Sequence, residues 1–127
     1  MYLIDSSVWI DFLKNRDERL VPYLESREAC LTDIVLFELL SGFSAEKQKE
    51  FLENFSLFQS LPLGKEVATL MAPVAHLMRK KGFSPQTTDL LIAGISLFHH
   101  AELIHKDLDF EMIKKFCPLK TISFLEK

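Results

Sequence analysis

Four acidic residues stand one at a time in otherwise apolar segments: Asp5 closes Tyr2-Leu3-Ile4, Glu38 is the only charge between Ile34 and Leu40, Asp89 opens Leu90-Leu91-Ile92-Ala93, and Asp107 follows the run that includes Leu103 and Ile104. A carboxylate in an apolar element is costly unless something compensates it, so repeated use of this placement points to a shared site. Gathered carboxylates repel and raise one another's pKa, and a divalent cation reverses that balance. Oxygen donors without a Cys pair or well-spaced His favour Mg²⁺ or Mn²⁺ over Zn²⁺. Such a metal, half hydrated, can hold a phosphodiester oxygen, orient or deprotonate an attacking water and stabilise the leaving oxygen. The chemistry implied is phosphoryl-transfer hydrolysis.

Elements that could bring these acids together follow from the hydrophobic pattern. Apolar runs of strand length alternate with longer segments of helical period, which predicts an α/β fold with a central, mainly parallel sheet flanked by helices. Strands are expected at residues 2–5, 29–31, 58–61, 101–105 and 119–122. A first helix should run through Val8, Trp9, Phe12 and Leu13 with Ser6 and Ser7 in its first turn, and a short one over 20–24 with Pro22 near its start. Thr32 or Asp33 can cap the helix carrying Ile34, Phe37, Glu38 and Leu40, which Gly42 ends, and Ser44 caps the next, through Phe51, Leu52 and Phe55. A long helix is expected over 65–81, bent or split by Pro73 and closed by Gly82. Ser84-Pro85 reads as cap and first turn of the helix through Leu90, Ile92, Ile95 and Phe98, and a short helix begins at Asp109-Phe110 and reaches Phe116. In an open parallel sheet, ligands gather beyond the carboxyl ends of the strands. Asp5 and Asp107 follow strands, Glu38 and Asp89 lie in the early turns of helices at the same side, and the four carboxylates can therefore converge.

The 127 residues, 48% hydrophobic and 26% charged, suit one domain spanning 1–127. Apolar stretches are interrupted well before the roughly 18 residues of a membrane span. The start lacks the basic region and apolar core of a secretory signal, so a cytoplasmic location is expected. Cys30 and Cys117 lie far apart and read as buried thiols. A formal charge of −3 argues against a broadly basic surface, although neutralising the four acids with a metal would leave +1 and room for a basic rim. Arg79-Lys80-Lys81 reads as a solvated helix end favoured by the macrodipole, with a phosphate contact for RNA as the lesser reading; Lys106, Lys114 and Lys115 have a weaker claim to such a contact. His76, His99, His100 and His105 show no metal spacing.

Leu3-Ile4-Asp5-Ser6-Ser7-Val8-Trp9, Phe37-Glu38-Leu39-Leu40-Ser41-Gly42, Arg79-Lys80-Lys81-Gly82 leading to Thr88-Asp89-Leu90-Leu91-Ile92-Ala93, and Asp107-Leu108-Asp109-Phe110 occur in the order and approximate spacing of PIN domains. More narrowly, and over nearly its whole length, the chain resembles the VapC-like toxins of bacterial type II toxin–antitoxin pairs. The resemblance implies a PIN-like fold and a Mg²⁺- or Mn²⁺-dependent endoribonuclease, inhibited by a cognate antitoxin and commonly a homodimer. It implies cleavage of structured RNA such as transfer or ribosomal RNA, which stops translation. Carried over by position, Asp5, Glu38, Asp89 and Asp107 form the catalytic, metal-holding quartet, Asp109 is a fifth acid or a helix cap, and Ser7 stands where the family often has a Ser or Asn that hydrogen-bonds within the site. Many relatives have Thr or Ser two residues before the final acid; His105 stands there instead, a change that bears on metal affinity or RNA positioning.

Other readings compete with this one. Phe51, Phe55 and Phe58 read as core, or with Trp9 or Phe12 as a dimer or antitoxin surface. An aspartyl-phosphate phosphatase also places an Asp after its first strand, but needs a second Asp where Ser7 stands. From a different class comes a noncatalytic PIN-like regulatory binding domain, against which the presence of all four acids argues.

Overall fold

Five short strands, all paired in parallel, form one sheet of order β3-β2-β1-β4-β5 in the computed structural model, which describes residues 1–125. The chain runs β1 (Tyr2–Ile4), α1 (Ser6–Asn15), a 3₁₀ turn (Glu18–Leu20), α2 (Val21–Glu25), β2 (Ala29–Leu31), α3 (Asp33–Ser41), α4 (Ala45–Phe55) and β3 (Gln59–Ser60). It continues through α5 (Gly64–Lys80), α6 (Thr87–Phe98), β4 (Glu102–His105), α7 (Leu108–Ile113) and β5 (Thr121–Ser123).

β1 and β4 are the central pair, and their apolar runs are buried on both faces: Leu3, Ile4, Leu103 and Ile104 are 0% exposed. Ile4 pairs with Ile104, and the Asp5 N–H donates to the Ile104 carbonyl at 3.0 Å, so both strands end at the same level. From β1 the chain builds outward through β2 and β3, then restarts on the other side with β4 and β5. The gap between β1 and β4 is thus the topological switch point, where an open α/β sheet leaves a crevice.

The packing around the sheet settles several sequence expectations. Trp9 and Phe55 pack with ring centroids 5.0 Å apart, Phe51 and Phe58 complete the cluster, and all but half-buried Phe58 are buried, so the Phe-rich stretch is core. α5 and α6 pack closely at Gly94, where a Cβ would come within 2.3 Å of Met71 Cγ and 2.8 Å of Val67 Cγ1. No helix is long and apolar enough to cross a membrane among the described residues.

Several local expectations need correction. Pro73 does not split α5, which is a single helix from Gly64 to Lys80; Pro73 is exposed, so solvent can hydrogen-bond the carbonyl it leaves open. Ser84-Pro85 does not start α6. Gln86 is the N-cap and the helix begins at Thr87, because Phe83, packed on Phe116 at 5.5 Å, anchors the preceding segment. α7 stops at Ile113 instead of Phe116, and β5 lies at Thr121–Ser123 instead of 119–122. Cys30 is buried as expected, Cys117 only half-buried, and both are free.

Candidate metal centre

The first turn of α1 builds one side of the crevice. Asp5, 6% exposed, is the residue at which β1 becomes α1: its carbonyl accepts the N–H groups of Val8 and Trp9, while its carboxylate accepts from the Ser7 hydroxyl, Oγ to Oδ2, at 2.8 Å. Burial raises its pKa, opposed by hydrogen bonds from Ser7 and the backbone of Ser6 and Ser7. Glu38, half-buried in the second turn of α3, accepts from the Ser6 hydroxyl at 3.3 Å, and its pKa is raised by burial and then by the Asp5 charge. Two consecutive serines therefore orient two different acids. Ser7 was expected in this role. Ser6 was not, because its partner lies 32 residues away; its place beside Ser7 in the first turn was the only available signal.

The other side comes from α6 and the β4–α7 junction. Asp89, in the first turn of α6, has its pKa pushed up to about 7 by burial and then by the charges of Asp107, Asp5, Asp109 and Glu38. That order of causes places all five acids in one electrostatic unit. Carboxylate oxygens of Asp89, Asp107 and Asp109 lie within 4.8 Å of one another. Asp5 and Glu38 adjoin this triplet without belonging to it. Asp107 is the N-cap of α7, its Oδ1 accepting the Asp109 N–H at 2.9 Å, so the helix cap is Asp107 and Asp109 is the added acid.

His105, 0% exposed, lies beneath this junction. Its Nδ1 accepts the Asp107 N–H at 3.1 Å and its Nε2 lies 2.7 Å from Glu111 Oε2, which also accepts from the Thr121 hydroxyl at 2.8 Å. Burial opposes ionisation of Glu111, but hydrogen bonds from Thr121 and His105 and the nearby Lys114 charge outweigh it and hold the pKa low.

Basic residues are unevenly placed. Arg79, Lys80 and Lys81 are exposed at the end of α5, and Arg79 lines a cleft with Thr87 and Leu90 of α6, close to the turn that carries Asp89. Lys106 is instead ion-paired with Asp11, and Lys114 donates to Thr121, so these two are engaged within the protein.

The donor set fits a hard divalent cation. It is all carboxylate oxygen, three of its members are spaced to share an ion, and the like-charge repulsion that adds to burial in raising the Asp89 pKa is what a cation would relieve.

The α/β sheet with acids at its switch point belongs to a defined class: the PIN domain family profile matches residues 2–115, and the chain is a member of that family. Within it the likeness is to VapC proteins. Ribonuclease VapC11 of Mycobacterium tuberculosis is 27% identical over 135 residues, covering 98% of this chain and 99% of the relative. VapBC2 from Rickettsia felis, solved bound to a DNA fragment from its promoter, has a TM-score of 0.81 at 17% identity, covering 97% of this chain and 98% of that one. VapBC-5 from Mycobacterium tuberculosis, of the VapBC family of toxin–antitoxin systems, has a TM-score of 0.71 at 22% identity, covering 95% and 96%. The two solved structures share the fold.

Proposed function

We propose that this protein is a metal-dependent endoribonuclease, the toxin of a type II toxin–antitoxin pair, which hydrolyses phosphodiester bonds in structured RNA such as transfer or ribosomal RNA and so stops translation. The observation that carries the proposal is the gathering of acids from separated segments at the switch point, with carboxylate oxygens of Asp89, Asp107 and Asp109 within 4.8 Å of one another; burial and then the charges of Asp107, Asp5, Asp109 and Glu38 push the Asp89 pKa up to about 7. Perturbed pKa values cluster at functional sites, where burial and like charges are arranged together.

Asp89, Asp107 and Asp109 hold Mg²⁺ or Mn²⁺ in this reading, with Asp5 and Glu38 completing the cage from the α1 side. When bound, the cation supplies Lewis-acid polarisation of the phosphodiester and a lowered pKa for water. The protein's own part is positioning: Ser7 fixes the Asp5 carboxylate and Ser6 that of Glu38. Burial of Asp5 leaves its own carboxylate little screened by water. Arg79, Lys80 and Lys81 are placed for phosphate contacts, which set affinity without reading sequence. A cognate antitoxin as partner is supported by the neighbours solved as VapBC. A homodimer, a cytoplasmic site of action and a single domain over 1–127 complete the proposal; one continuous buried cluster joining all the layers supports the last.

The test is incubation of total RNA with purified protein and Mn²⁺ or Mg²⁺, beside EDTA and Asp5→Asn controls. Discrete fragments that vanish in both controls are expected. Cleavage that persists in either control would refute the assignment, and absence of cleavage by a protein that binds metal would favour a noncatalytic PIN-like domain.

A further inference from the structure

Three carboxylates within 4.8 Å of one another push apart when no cation is bound, so something must hold them in register for one. Asp107 ends the two-residue step out of β4 and Asp109 lies in the first turn of α7; the Asp107 carbonyl accepts the Phe110 N–H at 3.2 Å, whereas the Asp107 N–H is taken by neither strand nor helix. The group that takes this N–H is a side chain. His105 Nδ1 takes the Asp107 N–H at 3.1 Å, so in the neutral ring Nε2 carries the hydrogen and donates it to Glu111 at 2.7 Å. The other tautomer would set N–H against N–H at one end and a lone pair against a carboxylate at the other, losing both bonds. Glu111 is tied in turn to β5 through Thr121, and the Phe110 ring packs on the imidazole at 5.1 Å.

We propose that His105 is a positioning residue for the acidic triplet: through Nδ1 it fixes the Asp107 backbone, and through Nε2 it clamps that backbone to α7 and β5. This rests on the metal-site reading above. Asp107, so held, caps α7 with the oxygen that accepts the Asp109 N–H, and both carboxylates are thereby presented to Asp89 before any cation arrives. A serine or threonine hydroxyl in place of His105 would lack the reach to link Asp107 with Glu111. In this chain metal-site preorganisation is thus coupled to the packing of α7 on β5.

The tautomer is read from imidazole ¹⁵N chemical shifts of the metal-free protein, and positioning from equilibrium Mn²⁺ affinity, with thermal melting measured in parallel. Expected are an unprotonated Nδ1 and a protonated Nε2. His105→Leu, which removes both nitrogens, is expected to weaken Mn²⁺ binding by about 10–100-fold, the range seen when partners of metal ligands are lost. His105→Asn, whose amide oxygen can take the Asp107 N–H, is expected to recover most of the affinity although its melting temperature falls like that of His105→Leu. Should His105→Leu fail to fold, Glu111→Leu at a position one-third exposed (34%) removes the clamp without emptying the core, and is expected to weaken Mn²⁺ more than Glu111→Gln, which keeps an acceptor. A protonated Nδ1, an unchanged affinity in the leucine variants, or losses that merely follow melting temperature would overturn the positioning role. A wild-type protein that has the stated tautomer but binds no Mn²⁺ would overturn the metal-site reading itself, and the positioning role with it.

Discussion

Asp89 is held where burial and four neighbouring carboxyls all oppose its ionisation, and this has consequences for pH. In the metal-free protein its proton is kept up to about pH 7, whereas the unfolded chain releases it near 3.8. Between those limits the folded state binds more protons than the unfolded one, so stability falls as pH rises from the lower value to the higher and is level above it. Asp5 and Glu38, also raised, act in the same direction. Thermal melts in EDTA should therefore give a higher melting temperature at about pH 5 than at about pH 8. Asp89→Asn should flatten that difference and melt a few degrees higher at the alkaline end while losing RNA cleavage, the trade expected where a site stores repulsion. Equal slopes for the two proteins would remove Asp89 as the source. At this scale the acids were legible in the sequence because each interrupts an apolar run. Ser6 was not, and His105 was legible only as a departure from the family pattern, since the partners that define their roles are brought near by the folded chain: Glu38 for the one, Glu111 and Asp107 for the other.

Helix α6 positions Asp89, and α6 is positioned by its close approach to α5 at Gly94. In an exposed helix, replacing Gly by Ala gains about 1 kcal/mol of helix propensity. Here the added methyl would meet Met71 Cγ at 2.3 Å and Val67 Cγ1 at 2.8 Å, and overpacking of that kind costs about 1–3 kcal/mol. Gly94→Ala should therefore lower stability in denaturant titrations, and by displacing α6 should also weaken Mn²⁺ binding; a stabilised variant would show that the two helices have room to separate. The central strands and the main helices follow from hydrophobic period and turn residues. Where local rules failed, tertiary contacts decided. Phe83 against Phe116 delayed the start of α6 past Ser84-Pro85, and the exposure of Pro73 let α5 continue through a residue that usually breaks a helix.

Across the whole molecule, alternation of strand-length and helix-length runs revealed a parallel α/β sheet, but not its order. That β4 returns beside β1 is a long-range choice between buried strands that apolar content alone does not distinguish, and it is the choice that brings Asp5 and Asp107 to one crevice. Charge placement is likewise a property of the assembled fold. Lys106 and Lys114 are engaged by Asp11 and Thr121, Lys115 is exposed in the turn after α7, and Arg79, Lys80 and Lys81 form an exposed basic group at the end of α5, with Arg79 beside the start of α6. Replacing these three by Ala should weaken RNA binding roughly uniformly across sequences and reduce its salt dependence, with Mn²⁺ affinity unchanged. An unaltered salt slope would place the RNA elsewhere.

The proposal that five acids form one divalent-cation site is tested most directly by an anomalous difference map from crystals soaked in Mn²⁺. The strongest peak should lie among Asp89, Asp107 and Asp109 on the side facing Asp5, and should disappear in Asp89→Asn. A saturated crystal with no peak there, or with its strongest peak at other residues, would contradict the account.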